Sequence, residues 1–142
     1  PSIFLSSTNK VFKLFFAAIF ADIIPTDNDK ILLVNSDVFA DAVDRVSTIS
    51  SEKSRSIKLV VSPGTLTLSA TSTDNGSAIE ELEVSYSEDD MEIGFNSKYL
   101  LDITAQIEGD NAQFVLADPA SPTIVRDSSD DRALYVLMPM RV

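Results

Sequence analysis

The stretch MEIGFNSKYLLDI, residues 91–103, passes from a strand into a helix and contains the signals for both. Residues 91–95 form a short apolar run that suits a buried strand. Asn96 or Ser97 then predicts a helix start, because either side chain accepts a hydrogen bond from an unpaired N–H of the first turn. Gly109 predicts the end of this helix. Its apolar stripe consists of residues at helical spacing: Tyr99, Leu100, Ile103 and Ile107.

The same order of signals occurs earlier in the chain. ILLV at residues 31–34 predicts a buried strand, and Asn35 or Ser36 predicts the start of a helix. The apolar face of that helix again follows helical spacing. Its members are Val38, Phe39, Ala42, Val43, Val46 and Ile49.

Each helix is followed by three predicted strands. They cover residues 57–61, 65–71 and 78–86 after the first helix, and residues 112–117, 122–125 and 133–138 after the second. Pro63-Gly64 between two of them fits a type II turn, because Gly accepts positive φ at low cost. The sequence therefore predicts two β-α-β-β-β units of an α+β fold, with two helices on one face of antiparallel sheets.

The composition excludes several classes of enzyme. The 142 residues, 44% of them apolar, suit one domain with a real core. The sequence has no Cys and no His. It therefore lacks disulfides, thiolate nucleophiles, His-containing zinc sites and the usual serine or cysteine triads. With only four Gly, it also has no Gly-rich phosphate loop. We expect a non-catalytic protein without a cofactor.

Acidic residues dominate the charge. The sequence has 22 acidic and 11 basic side chains, a net charge of −11, which argues against binding nucleic acid by the whole surface. The adjacent carboxylates at 80–81, 89–90 and 130–131 make poor acid–base pairs, because neighbouring strand residues point to opposite faces. Residues 27–29, Asp-Asn-Asp, resemble the opening of a calcium loop. Leu32 and Val38 stand where an EF-hand needs Gly and Glu, so no metal site is predicted.

Residues 1–24 do not fit the repeat. The run VFKLFFAAIFADII, residues 11–24, is interrupted only by Lys13 and Asp22. Its uncharged part, Leu14–Ala21, is shorter than the roughly 20 residues of a spanning helix. A buried strand or helix is one interpretation. Basic residues before an apolar run also suit a signal peptide, which would make the chain a secreted, acidic, β-rich binding module. We expect a divergent apolar segment at 1–24 and a domain at 25–142.

The C-terminal stretch YVLMPMRV, residues 135–142, is apolar in a chain that is otherwise acidic. Pro139 has no N–H for a partner strand, so a strand is expected to end there. Met138 and Met140 flank it, and methionine side chains adapt to differing partners. The pattern fits either a last strand that closes the core or the wall of a binding groove.

Four stretches of the chain resemble the third, C-terminal domain of the bacterial sliding clamp, the beta subunit of DNA polymerase III. They are IPTDNDKIL (24–32), FADAVDRVSTISSEKSRSIKL (39–59), MEIGFNSKYLLDI (91–103) and YVLMPMRV (135–142). The resemblance extends from about residue 24 to residue 142. It implies the DNA-clamp fold, in which each domain is a pair of β-α-β-β-β units with helices around a central hole and sheets outside.

The resemblance also implies an assembly. Two chains of three domains each form a homodimeric ring around duplex DNA, which the ring holds by topology. Arg45 and Lys98, on the predicted helices, would face the DNA. Thr48 and Ile49 would lie at the ring interface with the first domain of the other chain. The protein would then be a cytoplasmic replication processivity factor without catalytic activity and without contact with a membrane.

In this family the C-terminal run lines a hydrophobic pocket. The DNA polymerase III catalytic subunit, the clamp loader, other polymerases and mismatch-repair proteins insert a short peptide containing Gln and Leu or Phe there. Carried over to this sequence, the pocket residues are Asn96, Tyr99, Ala120, Pro122, Val136, Leu137, Met138, Pro139, Met140 and Arg141.

Two departures from the family pattern bear on function. The chain has no counterpart of the first two clamp domains, so it does not close the usual ring alone. Where the family has a stretch like FPDYxRVIP, this chain has AAIFADIIP at residues 17–25, which alters the pocket wall next to the preceding domain. A truncated clamp-fold fragment without ring function is therefore the alternative to a working clamp domain.

Overall fold

The structure is a computed structural model and describes residues 2–3, 27–50 and 55–141. The predicted apolar segment, apart from residues 2–3, lies outside the described residues. The described elements run in chain order as β1 (Ser2–Ile3), β2 (Lys30–Asn35), α1 (Ser36–Ser47), β3 (Ser56–Ser62), β4 (Thr65–Ser72), β5 (Gly76–Glu83), β6 (Met91–Asn96), α2 (Ser97–Thr104), β7 (Asn111–Leu116), β8 (Thr123–Asp127) and β9 (Asp130–Leu137). The two predicted β-α-β-β-β units are confirmed.

Both helices begin at an asparagine, one of the two candidates that the sequence offered in each case. The side-chain oxygen of Asn35 accepts a hydrogen bond from the N–H of Val38 at 3.0 Å. That of Asn96 accepts from Lys98 at 2.9 Å and from Tyr99 at 3.3 Å. These bonds satisfy donors that have no partner inside the helix, so the caps fix where each strand turns into a helix.

Each unit contributes its first strand to the sheet of the other unit. In one sheet, of order β1-β9-β8-β7-β2, β2 pairs antiparallel with β7. In the other, of order β5-β4-β3-β6, β6 pairs antiparallel with β3. The helix starts are tied across the units as well: Ser36 N–H donates to the Asp110 carbonyl at 2.8 Å, and Ser97 N–H to the Arg55 carbonyl at 2.7 Å. The two units are therefore interlocked and share one core.

The helices pack against each other and bury their apolar stripes on the sheets, as predicted for an α+β domain. The ring of Phe39 in α1 lies edge-on to that of Phe114 in β7, with 5.3 Å between the centroids. The buried face of α1 is narrower than predicted. Val38 is 48% exposed, because the buried residues Phe39, Ala42, Val43 and Val46 already fill the face toward the sheets, and Ile49 lies beyond the helix end.

Gly109 does not end α2, so that prediction is wrong. The helix ends at Thr104, and Ala105 caps it in a right-handed helical conformation. Gly109 is instead required where the chain passes the β8–β9 turn. A Cβ atom on Gly109 would lie 2.5 Å from Ser129 Oγ and 2.8 Å from Asp127 Oδ1. Close approach of the backbone to neighbouring side chains is a second reason for a glycine, and the sequence does not distinguish it from a helix stop.

Asp127 holds the loop after α2 against the β8–β9 turn. Its side chain is buried and accepts hydrogen bonds from the N–H groups of Glu108 at 2.8 Å and Gly109 at 3.3 Å. The N–H and hydroxyl of Ser129 donate to its other oxygen at 2.9 and 2.7 Å. Burial is the largest influence and raises the pKa of the Asp127 carboxyl, but these donors together outweigh it and leave the pKa below its ordinary value.

We expect Asp127→Asn to lower the free energy of unfolding at pH 7 by about 2 kcal/mol, because an amide cannot accept all four hydrogen bonds. The lowered native pKa means that the wild-type carboxylate stabilises the fold above its unfolded pKa of about 3.9. That contribution disappears as the pH falls through the native pKa. Urea titrations between pH 7 and pH 3 should therefore give a flatter pH dependence for the variant.

Asp74→Asn is the matched control for this substitution. Asp74 is exposed in the β4–β5 turn, and a surface substitution of this kind is expected to change stability by less than about 0.5 kcal/mol. Equal stability of the Asp127→Asn variant and the wild type at pH 7 would contradict the role assigned to the Asp127 hydrogen bonds.

Candidate functional site

A pocket of about 390 Å³ opens beside the C-terminal end of the chain. Its walls come from β6, from the loop that joins β7 to β8, and from the segment after β9. The lining residues are Glu92, Ile93, Gly94, Pro119, Ala120, Pro139, Met140 and Arg141. The size and the mainly apolar lining with one charge of each sign are typical of a site for a small ligand or a short peptide.

The segment after β9, residues 138–141, forms one wall because it is tied to β6. The N–H of Met140 donates to the carbonyl oxygen of Gly94 at 2.7 Å, which forms an isolated antiparallel bridge between them. Gly94 has no side chain, so the backbone of this terminal segment approaches the strand closely. Four further lining residues, Glu92, Ile93, Gly94 and Pro119, were not among those predicted from the sequence. A glycine inside the strand MEIGF was the available signal of close backbone approach.

The β7–β8 loop, residues 117–122, forms the opposite wall and is held by its own hydrogen bonds. One oxygen of the Asp118 carboxylate accepts from the N–H of Ala120 at 2.8 Å, and the other accepts from the hydroxyl of Ser121 at 2.7 Å. These donors, Ser121 first, lower the pKa of the Asp118 carboxyl. The amide of Asn28 anchors the loop from outside by donating to the Pro122 carbonyl at 3.0 Å. These hydrogen bonds hold Pro119 and Ala120 in the loop, and the pocket lies between them and the terminal segment.

The structure brings four predicted pocket residues into the lining, namely Ala120, Pro139, Met140 and Arg141. The other six predicted residues are not part of this lining. Val136 and Leu137 are buried in β9, and Met138 is 37% exposed at its end. The remaining three are Asn96, which caps α2, Tyr99, which packs half-buried against the core, and Pro122, in the β7–β8 loop.

A second recess of about 390 Å³ lies between the end of α1 and the start of α2. It brings together Thr48, predicted at a ring interface, and Lys98, predicted to face DNA. The rest of the lining is Ser47, Ser50, Arg55, Ser97, Leu101 and Asp102. Ile49 follows Thr48 and is half-buried. Hydroxyl groups and two basic side chains can contact phosphate, but Asp102 opposes an anion there.

Arg45, the other residue predicted to face DNA, is exposed but is paired within the chain. Its guanidinium donates from Nε and from one terminal nitrogen to the two carboxylate oxygens of Glu80 in β5, both at 2.8 Å. This bidentate contact raises the pKa of Arg45 and lowers that of Glu80. The pairing offsets the positive charge that Arg45 would otherwise present.

Within residues 2–3, 27–50 and 55–141, no group of three or more acidic side chains is arranged to hold a metal ion. In the same part of the chain, no helix has the length and apolar content needed to cross a membrane.

Comparison with known proteins identifies the family. The family model described as "DNA polymerase III beta subunit, C-terminal domain" matches residues 21–141. The beta sliding clamp of Caulobacter vibrioides is 57% identical over 120 residues, which cover 84% of this chain and 32% of that protein. The beta sliding clamp of Escherichia coli K12 is 36% identical over 120 residues, 84% of this chain and 33% of that protein.

Solved structures give the same result for the fold. The crystal structure of the Caulobacter crescentus beta sliding clamp with bound polyethylene glycol superposes with a TM-score of 0.84 at 55% identity, over 87% of this chain and 33% of that chain. The Bartonella birtlesii sliding clamp bound to griselimycin gives a TM-score of 0.84 at 46% identity over the same shares. The chain thus spans about a third of the length of these relatives, and it belongs to the family of the C-terminal domain of the bacterial DNA polymerase III beta subunit, the sliding clamp.

Proposed function

We propose that this chain is a non-catalytic, cytoplasmic replication module that binds short peptides of its partner proteins in the pocket beside the C-terminal segment. The partners are the DNA polymerase III catalytic subunit, the clamp loader, other polymerases and mismatch-repair proteins. As part of a homodimeric ring, the domain would surround duplex DNA. It does so without a cofactor, since its task is to hold partners on DNA.

The pocket is the observation that carries this proposal. Ile93, Ala120, Pro139 and Met140 supply an apolar lining, and Glu92 and Arg141 supply one charge of each sign. A few apolar anchors in such a concave site provide most of the affinity for a peptide, while the polar groups fix its direction. The relatives crystallised with griselimycin and with polyethylene glycol at a beta-motif tethering region support a ligand site in this family.

Ring formation is supported by the edge of β5, which pairs with β4 and with no second strand among the described residues. Ile79 is 71% exposed on this strand, and Glu81 and Glu83 are exposed beside it. An open edge presents unpaired backbone groups to another strand, while its like charges oppose pairing with a second copy of itself. We propose that this edge meets another domain of the ring, together with Thr48 and Ile49, which follow α1 in the sequence.

The alternative is a clamp-fold fragment that binds peptides but forms no ring. The pocket is built within the described part of this chain, whereas a ring needs further domains. Peptide binding and DNA retention therefore test the two parts of the proposal separately.

We expect Met140→Ala to weaken the binding of a fluorescent peptide containing Gln, Leu and Phe about tenfold, or about 1.4 kcal/mol, because an apolar anchor is lost. Fluorescence anisotropy measures the affinity. Ile79→Ala is the control, since it truncates an exposed apolar side chain on β5, outside the pocket lining. Equal affinity of the wild type and the Met140→Ala variant would contradict the assignment of the pocket.

We expect the isolated chain to bind a short linear DNA duplex with a dissociation constant above about 10⁻⁴ M at 0.15 M salt, since its net charge is −11 and it cannot encircle DNA alone. An electrophoretic mobility shift assay at rising protein concentration measures this. Saturable binding in the micromolar range that disappears in Lys98→Glu would show that the helix face binds phosphate directly, and would overturn retention by topology.

A further inference from the structure

A row of β-branched side chains crosses the outer face of the five-stranded sheet, which is the face turned away from the helices. Ile31 of β2 pairs with Val115 of β7, and Val115 pairs with Ile124 of β8. Ile124 pairs in turn with Val136 of β9. The ring of Phe114 contacts α1, so the next residue, Val115, points to the opposite face. These four paired residues, one from each of four adjacent strands, form the apolar row.

The middle of the apolar row is shielded from solvent. Ile124 and Val136 are 4% and 6% exposed, whereas Ile31 at the edge of the sheet is 50% exposed. The outer face of the four-stranded sheet is different, because a row across it is polar and its members are half-buried or exposed. That row consists of Glu81, Thr67, Val60 and Glu92. Burial as deep as that of Ile124 and Val136 on the outside of a sheet requires other atoms above it.

The connection that enters β2 must pass over this sheet. β1 and β2 are the two edge strands in the order β1-β9-β8-β7-β2, and each neighbouring pair is antiparallel. Four antiparallel steps make β1 and β2 parallel to each other, so the chain must return across one face of the sheet between them. Residues 4–26 connect Ile3 to the described part that begins at residue 27, and they exceed the roughly twelve residues that such a crossover needs.

The helix side of the sheet has no room for this crossover. Leu32 and Phe114, paired across β2 and β7, face the helices and are each 1% exposed. Just before β2, the chain already lies near the start of β8, since the amide of Asn28 donates to the carbonyls of Val115 at 2.9 Å and Pro122 at 3.0 Å. The outer face, which carries the apolar row, is the face left for the crossover.

We propose that residues 4–26 cross the outer face of the five-stranded sheet and that their apolar run, residues 11–24, covers the apolar row. The run VFKLFFAAIFADII has charges only at Lys13 and Asp22 and contains four Phe side chains. Contact with the row removes apolar surface on both sides from water, which is the main favourable contribution to such packing. The occupant of this surface is a segment of the same chain, and the inference is independent of the proposed peptide binding.

The proposal changes the role of one predicted pocket residue and of the N-terminal segment. Val136 belongs to the apolar row and is not part of the pocket lining. A signal peptide, the other interpretation of this segment, would be removed and would leave the row uncovered. With the row covered by residues 11–24, the folded domain begins before residue 25.

Paramagnetic broadening in NMR spectra of the full chain tests the proposal. The sequence has no Cys, so a nitroxide label can be attached at one introduced Cys. Gln113→Cys places the label on the outer face of β7, two residues from Val115. Thr67→Cys places it on the outer face of the four-stranded sheet and is the matched control, because Thr67 is half-buried like Gln113. Labelling with ¹⁵N-Phe gives eight amide signals, four of them from residues 12, 15, 16 and 20 of the run.

We expect the Gln113→Cys label to remove most of the intensity of the four signals from the run, because a layer packed on a sheet lies only about 10 Å away. The Thr67→Cys label should leave most of that intensity. Each intensity is compared with its value after chemical reduction of the nitroxide. Signals of the buried core Phe residues at their wild-type positions in the reduced samples show that the variants fold. If Gln113→Cys does not fold, Arg126→Cys labels the same face, since Arg126 pairs with Gln113.

Three results would overturn the inference. No loss of intensity with the label on the outer face of β7 means that the run lies elsewhere. Equal loss with both labels means that the run does not select the apolar row. Loss in a mixture of ¹⁵N-Phe protein without nitroxide and nitroxide-bearing protein without ¹⁵N means that a second copy is the occupant. Loss confined to the Gln113→Cys sample and absent from the mixture supports the inference.

Discussion

The exchange of first strands between the two units is the constraint on which the rest of the domain depends. Because β2 completes the sheet of the second unit and β6 that of the first, neither unit has its own complete sheet. Antiparallel pairing fixes the register over six residues in each case, and the next residue starts a helix. The position of each helix on the shared core is therefore set by a strand that belongs to the opposite sheet. The pocket depends on the same exchange, because β6 forms one of its walls.

The two units are nearly alike, but they hold the segment after their last strand differently. Asn35 and Asn96 cap the helices in the same way, and Leu33 and Gly94 receive the segment that follows the last strand of their unit. The difference lies in a few residues at the edge of that segment that faces away from Leu33 or Gly94. A tight turn with Gly64 at φ 79° bonds to it in the first half. In the second half, Pro139 has no N–H to donate, and the β7–β8 loop makes its hydrogen bonds to the Asp118 carboxylate within the loop.

The sequence predicted the order of elements because each part has a local physical signal: apolar runs, asparagine caps and the Pro63-Gly64 turn. It did not predict which strands exchange, since pairing between distant segments depends on packing that no short pattern records. The prediction that Gly109 ends the second helix was wrong, because the local pattern of a helix stop does not record that Gly109 lies close to Ser129 and Asp127. For the pocket, the apolar composition of the terminal segment left a core strand and a groove wall equally open, and the resemblance to the clamp family pointed to the groove wall. Glu92 was missed because it looks like an ordinary strand residue until the chain end is placed beside it, whereas Gly94 carried a signal, a glycine inside a strand, that was not used.

The charge of the helix layer bears on how such a domain could serve DNA. The exposed residues of α1 and α2 include four acids, Asp37, Asp41, Asp44 and Asp102, and two bases, Arg45 and Lys98. Arg45 is further neutralised by Glu80. A surface that releases few counterions binds phosphate weakly, and a ring that moves along DNA needs weak binding so that no single position holds it. In the proposed function, closure of the ring must then retain the protein on DNA, because the charge of this domain does not. The chain's own specific affinity is for peptides and is concentrated at the pocket.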